Sequence, residues 1–287
     1  MKPPKFEYAA PDTVAQALGL LAEGGRDARL LAGGQSLVPA MNFRLARPSL
    51  LIDLARVPGL RSLRQDADGS LVAGAMTRHR DFEFSALVRD RLPLAHAAMP
   101  AVAHMAIRSR GTIGGSLAHA DPAGDWPALC LASNAQFTLR SARGSRNVAA
   151  TDFGRGLFES ALDEGEMLTE VRFPAWKQTQ RHGLQKMSRR HGDFAIVGAV
   201  VTTDTVDGKC SSLRIVSYGA SDCAQLVGEA SAVLEGRVPT EALVDEASRA
   251  AASAVQTRSD LHASAAYRSE LVEALTRRAL RQAFVLH

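Results

Sequence analysis

Hydrophobic and polar positions change rhythm several times along this chain, and each change marks an element. Val14, Ala17, Leu18 and Leu21 recur at helical spacing, so an amphipathic helix is expected there, with Asp12 as its cap and Gly24-Gly25 as its end. A short apolar strand at 29–32 runs straight into Gly33-Gly34-Gln35-Ser36, followed by a helical pattern at 37–43 and a second strand at 50–54. Residues 1 to about 57 therefore read as a small α/β unit. After the turn at Pro58-Gly59 come a strand at 71–73 and a helix at 92–103 that carries Pro93 in its first turn and Pro100 near its end. A second glycine-rich loop spans 111–116, a hairpin at 137–140 and 146–149 bends around Gly144, and a strand at 167–173 is closed by Pro174. From about 175 three strands (184–188, 195–203, 213–219) give way to three helices (224–234, 239–255, 264–284), the last with Tyr267, Leu271, Leu275 and Ala279 on one face. Strands followed by helices predict an α+β fold, and 287 residues suit two domains.

Composition narrows the function. Hydrophobic residues make up 46% and charged residues 22%, the balance of an ordinary globular protein. The net charge of +4 comes from 34 Lys+Arg against 30 Asp+Glu, with no long block of one sign, which argues against nucleic acid as a partner. Short basic runs such as Arg189-Arg190 and Arg277-Arg278 read as solvated faces or phosphate neighbours. The first residues have no apolar run behind them, and the longest apolar stretch, 195–201, falls far short of the roughly 20 residues that span a bilayer. No membrane insertion and a cytoplasmic location are expected. Cys130, Cys210 and Cys223 are widely spaced and odd in number, so they form neither a disulfide framework nor the four-cysteine set of an iron–sulfur cluster; they read as small buried apolar residues.

The two glycine loops are the candidate chemistry. In Ala32-Gly33-Gly34-Gln35-Ser36 a strand meets a helix start, where glycines allow a tight turn and close approach to a ligand, and successive N–H groups suit an anion. Gly111-Thr112-Ile113-Gly114-Gly115-Ser116 repeats the ingredients, with two hydroxyls flanking paired glycines. One such loop can grip a phosphate, and two can grip a diphosphate from both sides. A lone Gly-Gly turn is usually only a turn, and neither loop fits the Rossmann or P-loop pattern, so a dinucleotide needs another architecture. His119 with Asp121 and Asp125 makes a poor metal site, because three scattered groups in a Gly/Pro-rich loop do not close a coordination shell.

The whole chain, from Phe6 to the last helix, resembles the medium, flavin-binding subunits of the molybdenum hydroxylases, a family that includes carbon monoxide, nicotine and quinoline dehydrogenases and the FAD domain of xanthine dehydrogenase. The resemblance is carried by residues 31–37 with Arg44-Leu45-Ala46-Arg47-Pro48, by Ile107-Arg108 and residues 111–116, and by Ala118-His119-Ala120-Asp121-Pro122 with Asp125 and Pro127. It implies a two-lobed FAD-binding domain over 1–175 (lobes of about 1–57 and 58–175), then a C-terminal flavoprotein domain over 176–287 made of an antiparallel sheet and a helix bundle. It implies that Ala32, Gly33, Gly34, Gln35 and Ser36 hold the FAD diphosphate together with Thr112, Ile113, Gly114, Gly115 and Ser116. By the same resemblance Asp125 contacts the sugar or ribityl chain, Leu168 lies near the flavin or adenine, and Lys186 lies on the cofactor side. The segment 190–195 is similar to the family's Arg-x-Gly-Asp-Tyr-Ala, with Phe194 in place of the aromatic phenol beside the isoalloxazine: stacking survives, the phenol hydrogen bond does not. Without the resemblance Asp125 reads as a helix cap, Leu168 and Phe194 as core, and Lys186 as a solvated strand residue.

The resemblance further implies an electron-transfer subunit. A large subunit would carry the molybdenum cofactor and a small one the [2Fe–2S] clusters, and this chain's FAD would pass electrons to an external acceptor, in a heterotrimer that is doubled by a two-fold axis. Two other classes stay open on the residues alone: a self-contained FAD-dependent oxidase, and a non-redox nucleotide-binding module.

Overall fold

The computed structural model of the chain describes residues 2–286. The first strand, β1 (Glu7–Ala9), leads into helix α1 (Val14–Gly24). Thr13, not Asp12, is its cap: the Thr13 hydroxyl accepts the Gln16 N–H at 3.1 Å while the Gln16 side chain accepts from the Thr13 N–H, a reciprocal pair that Asp12 cannot form one residue too early. Strand β2 (Ala28–Leu31), helix α2 (Leu37–Asn42) and strand β3 (Leu50–Asp53) complete a three-stranded parallel sheet in the order β1-β3-β2. Ala17, Leu18 and Leu21 of α1 cover Ile52 of the central strand, as their spacing predicts.

A second sheet is antiparallel, in the order β4-β5-β10-β6-β7: β4 (Leu63–Gln65), β5 (Leu71–Gly74), β6 (Gln136–Ser141), β7 (Gly144–Ala149) and β10 (Met167–Phe173), with a small hairpin of β8 (Gly154–Gly156) and β9 (Glu159–Ser160) beside it. Between β5 and β6 the chain runs through six short helices: α3 (His79–Phe84), α4 (Ala86–Arg91), α5 (Pro93–Ala98), α6 (Met105–Arg108), α7 (Ile113–His119) and α8 (Asp125–Ala132). The helix expected over 92–103 is only α5, because Pro93 starts it and Pro100 turns its end into a 3₁₀ segment. Trp126, Phe82, Phe137 and Phe173 are the large buried residues of this region.

The third sheet is antiparallel, β11-β12-β13-β14: β11 (Arg181–Met187), β12 (Val197–Val206), β13 (Lys209–Tyr218) and β14 (Gln225–Leu226). Helices α9 (Gly228–Leu234), α10 (Glu241–Ala254) and α11 (Ala265–Phe284) pack on one face with Val197, Ala199, Val201 and Ile215. The helix expected over 224–234 loses its first turn to β14, which pairs with Val216 and Ser217. On the other face Val200, Val216 and Tyr218 join the core of the second sheet. Helix α8 lies at that junction: its Ala132 carbonyl accepts from the Thr202 hydroxyl at 2.7 Å and its Leu131 carbonyl from Arg214 Nε at 2.8 Å. Two covered faces explain why β12 reads as a continuous apolar run instead of an alternating one. Cys130 and Cys210 are buried, as expected of all three cysteines, whereas Cys223 is only half-buried. Among the described residues no helix is long and apolar enough to cross a membrane.

Candidate functional site

The two glycine loops meet where the first sheet abuts the second, and they differ in what they offer. Leaving β2, the chain turns at Gly34 with φ +71°, a region open to glycine at little cost. Among the described residues none accepts a hydrogen bond from the backbone N–H groups of Gly33, Gly34, Gln35, Ser36 or Leu37; the chain closes on itself only at the Val38 N–H, which donates to the Gly34 carbonyl at 3.2 Å. Five successive N–H groups without an acceptor are the raw material of an anion cradle. The second loop is largely engaged within the protein. Gly111 donates to the Ile107 carbonyl, Ile113 to Thr77, Gly114 to Ala75 and Ser116 to Thr112, while the Thr112 hydroxyl accepts from Gly115 at 3.1 Å. It leaves the Thr112 N–H and the Ser116 hydroxyl.

Close approach by glycine also has a structural cause here. A Cβ on Gly33 would overlap the Arg110 carbonyl, so the loops touch backbone to backbone. A Cβ on Gly114 would lie 2.5 Å from the Ala75 Cβ and 2.7 Å from the Ala75 carbonyl oxygen. Position 114 is glycine because the loop packs on the end of β5, which differs from the approach to a ligand that the sequence suggests.

A buried polar cluster lies at the start of α8. Lys186 Nζ donates to both Asp125 carboxylate oxygens at 3.1 Å and to the Ala101 carbonyl at 2.8 Å, and the Tyr218 hydroxyl donates to Asp125 Oδ1 at 2.8 Å. The side chains of Lys186 and Asp125 are 7% and 12% exposed, so Lys186 is not a solvated strand residue. Asp125 is not the cap of α8 either; Gly124 occupies that position, and the carboxylate turns inward. Burial drives the Asp125 carboxyl above its ordinary range, while the Lys186 cation and then the Tyr218 hydroxyl pull it back. Burial, followed by the Asp125 charge, raises the Tyr218 phenol well above its ordinary value.

The turn that holds Lys186 is itself tied down. Arg108 donates to the Val102 and Ala103 carbonyls and forms a bidentate, largely buried pair with Glu83 at 2.9 and 3.0 Å. Gly192, in the loop between β11 and β12, lies against Ala103 and His104. Phe194 follows in that loop and is 60% exposed, which removes its reading as core. Leu168 is core: it is 4% exposed in β10, among Ile113 and Leu117. His119 packs against Phe158 with the rings tilted by 44° and 5.2 Å between centroids, and among the described residues no group of three His, Cys, Asp or Glu side chains could hold a metal. A cavity of about 260 Å³ opens between α7, the β8–β9 hairpin and the chain around Cys223; it shares Asp121 and Pro122 with the loop before α8 but touches neither glycine loop.

Sequence reasoning missed Tyr218, which it placed in a strand without a role, and the pairs Arg108–Glu83 and His79–Trp126. Arg108 lies in a quoted stretch of the resemblance, so a signal existed for it. Tyr218 carries none, because its role depends on a neighbour 93 residues away.

Residues 4–176 match the family described as the FAD binding domain in molybdopterin dehydrogenase, and residues 182–283 match the CO dehydrogenase flavoprotein C-terminal domain. The chain belongs to the FAD-binding medium subunits of the molybdenum hydroxylases. It is 41% identical to the alpha subunit of the 6-hydroxypseudooxynicotine dehydrogenase complex of Paenarthrobacter nicotinovorans, over 99% of this chain and 96% of that one. It is 38% identical to the carbon monoxide dehydrogenase medium chain of Hydrogenophaga pseudoflava, over 99% of both chains, and superimposes on a chain of the solved carbon monoxide dehydrogenase from that organism with a TM-score of 0.97. A chain of quinoline 2-oxidoreductase from Pseudomonas putida 86 superimposes with a TM-score of 0.94 at 36% identity, again over 99% of both chains. This medium subunit therefore carries FAD, in an oxidoreductase of the molybdenum hydroxylase type.

Proposed function

We propose that this subunit is an electron-transfer station: it takes electrons from [2Fe–2S] clusters on a small subunit, which drain a molybdenum site on a large subunit, and it delivers them to an external acceptor. The observation that carries the proposal is the end-to-end similarity to medium chains, whose names make them one part of a larger enzyme. The expected assembly is the heterotrimer doubled by a two-fold axis.

The site's chemistry fits the cofactor. The open N–H row of 33–37 suits the diphosphate, with the Thr112 N–H and the Ser116 hydroxyl opposite it. Ala32 and Ile113 hold these loops by packing. Asp125 and Lys186 would bring a paired anion and cation toward the ribityl and isoalloxazine end, with the buried Leu168 backing the site from the core. The exposed ring of Phe194 would stack on the isoalloxazine, which it can do without a phenol. FAD supplies chemistry that accepts electrons singly and releases them in pairs; the chain binds it, orients it and sets the charge around it.

Reconstitution tests the relay. Substrate is added without oxygen to this subunit alone, and then to the subunit with its two partners, and bleaching of the flavin absorbance is followed. Bleaching in the full mixture only is the expected result. Rapid bleaching of the lone subunit by an organic donor would replace the relay with a self-contained oxidase.

A further inference from the structure

Lys186, Gly198 and Tyr218 stand in one row across three strands: Lys186 of β11 pairs with Gly198 of β12, which pairs with Tyr218 of β13. Members of such a row project to the same face of the sheet. The middle member has no side chain, and the tyrosine ring fills its place. A Cβ at residue 198 would overlap Cε1 and Cζ of that ring and lie 2.6 Å from its hydroxyl oxygen. The ring therefore lies across β12 with its hydroxyl directed toward β11. There it meets Asp125 Oδ1 at 2.8 Å, on the carboxylate that Lys186 grips at 3.1 Å. Tyr218 is fully buried, and Asp125 is the only hydrogen-bond partner of its hydroxyl among the described residues.

We propose that Tyr218 is a positioning residue for the redox step, and that Gly198 is glycine to admit it: the phenol holds the Asp125 carboxylate so that the Lys186 ammonium presents a fixed charge to the flavin. The proposal rests on the reading that Lys186 and Asp125 face the cofactor. A buried carboxylate with two charge-assisted partners shares its negative charge between them. Without the phenol, the whole of that charge falls on Lys186. The ammonium then offers less positive field to an electron-rich reduced flavin, and the oxidised form gains.

The test compares the full chain, loaded with FAD, with its Tyr218→Phe variant. Phe keeps the ring over Gly198 and removes only the hydroxyl. FAD content should stay near that of the parent and the thermal midpoint should fall without loss of the fold, while the flavin midpoint potential moves to more negative values, by about a tenfold shift in the reduced-to-oxidised equilibrium, the scale of one hydrogen bond to a charged group. Gly198→Ala, which evicts the ring, should move it the same way. Lys186→Met should change the potential by itself, and adding Tyr218→Phe to it should change nothing further. A potential that Lys186→Met moves and Tyr218→Phe leaves unchanged makes Tyr218 a packing residue and overturns the inference alone. A potential indifferent to Lys186→Met overturns the cofactor-side reading of Lys186, and this inference falls with it.

Discussion

The indole N–H of Trp126 donates to Nδ1 of His79 across 2.8 Å, and both side chains are buried. An accepting Nδ1 makes His79 neutral with its proton on Nε2, the atom that faces Gly111 of the second glycine loop. Burial, followed by the charge of Arg108, lowers the His79 pKa from 6.5 to about 4.

The folded chain thus resists a proton that the unfolded chain accepts. Above pH 6.5 the group has no effect; as pH falls from there to about 4, the unfolded state gains protons and stability drops, by up to about 3 kcal/mol. Gln at position 79 can still accept from Trp126 but cannot titrate. Urea unfolding at a series of pH values should show the parent losing stability relative to His79→Gln over this window. Parallel curves would mean that His79 is charged in the folded chain.

Asp125 and Lys186 form a buried pair, whereas Arg26 and Glu164 form an exposed one at 3.0 Å. Asp125→Ala leaves an ammonium buried without its counter-ion and should cost about 3–5 kcal/mol. Arg26→Ala should cost less than about 1 kcal/mol. Equal denaturation midpoints for the two variants would show that water reaches Lys186.

Gly114→Ala places a methyl group against Ala75. The second loop must then lift off β5, so thermal stability should fall by about 1–3 kcal/mol, the usual range for overpacking, and FAD content should fall with it. Stability unchanged with FAD lost would instead put the ligand, not Ala75, against this glycine.

Phe194→Ala separates stacking from packing. A core phenylalanine costs about 3–5 kcal/mol on truncation, but this ring is 60% exposed, and the free chain should lose less than about 1 kcal/mol. The flavin's absorption spectrum and its rate of reoxidation should change while FAD stays bound. A large loss of stability with an unchanged spectrum would return Phe194 to the core.

What the sequence makes legible is local. The β6–β7 hairpin and strand β10 follow from alternation and from Gly144 and Pro174, all within a few residues. Helix α7 is hidden by Gly114 and Gly115, ordinarily breakers, whereas α8 shows only at its start, where Asp125 reads as a cap. Pro127 is tolerated because it falls in the first turn of α8, where an N–H has no partner to lose. The polar cluster is hidden for another reason: whether Lys186 is wet or dry depends on Asp125 at the start of α8, 61 residues away, and no pattern within β11 records that. The similar wording of the two glycine loops conceals their unequal supply of free N–H groups, because hydrogen bonds to Ala75 and Thr77 are long-range.

The first sheet does not own all of its core. Beside Ala17, Leu18, Leu21 and Ile52 stand Leu60, Met76 and Met167, supplied from beyond residue 57. A unit of about 60 residues is marginal by itself, so the first lobe depends on these borrowed side chains to stay seated. Its glycine loop, with the five open donors, sits at the seam where it docks. On the proposed reading of this loop, ligation at that seam and seating of the lobe would be one event, and a dinucleotide held there would act as a latch. Amide exchange and protease nicking over the first fifty-odd residues would report whether the latch is closed.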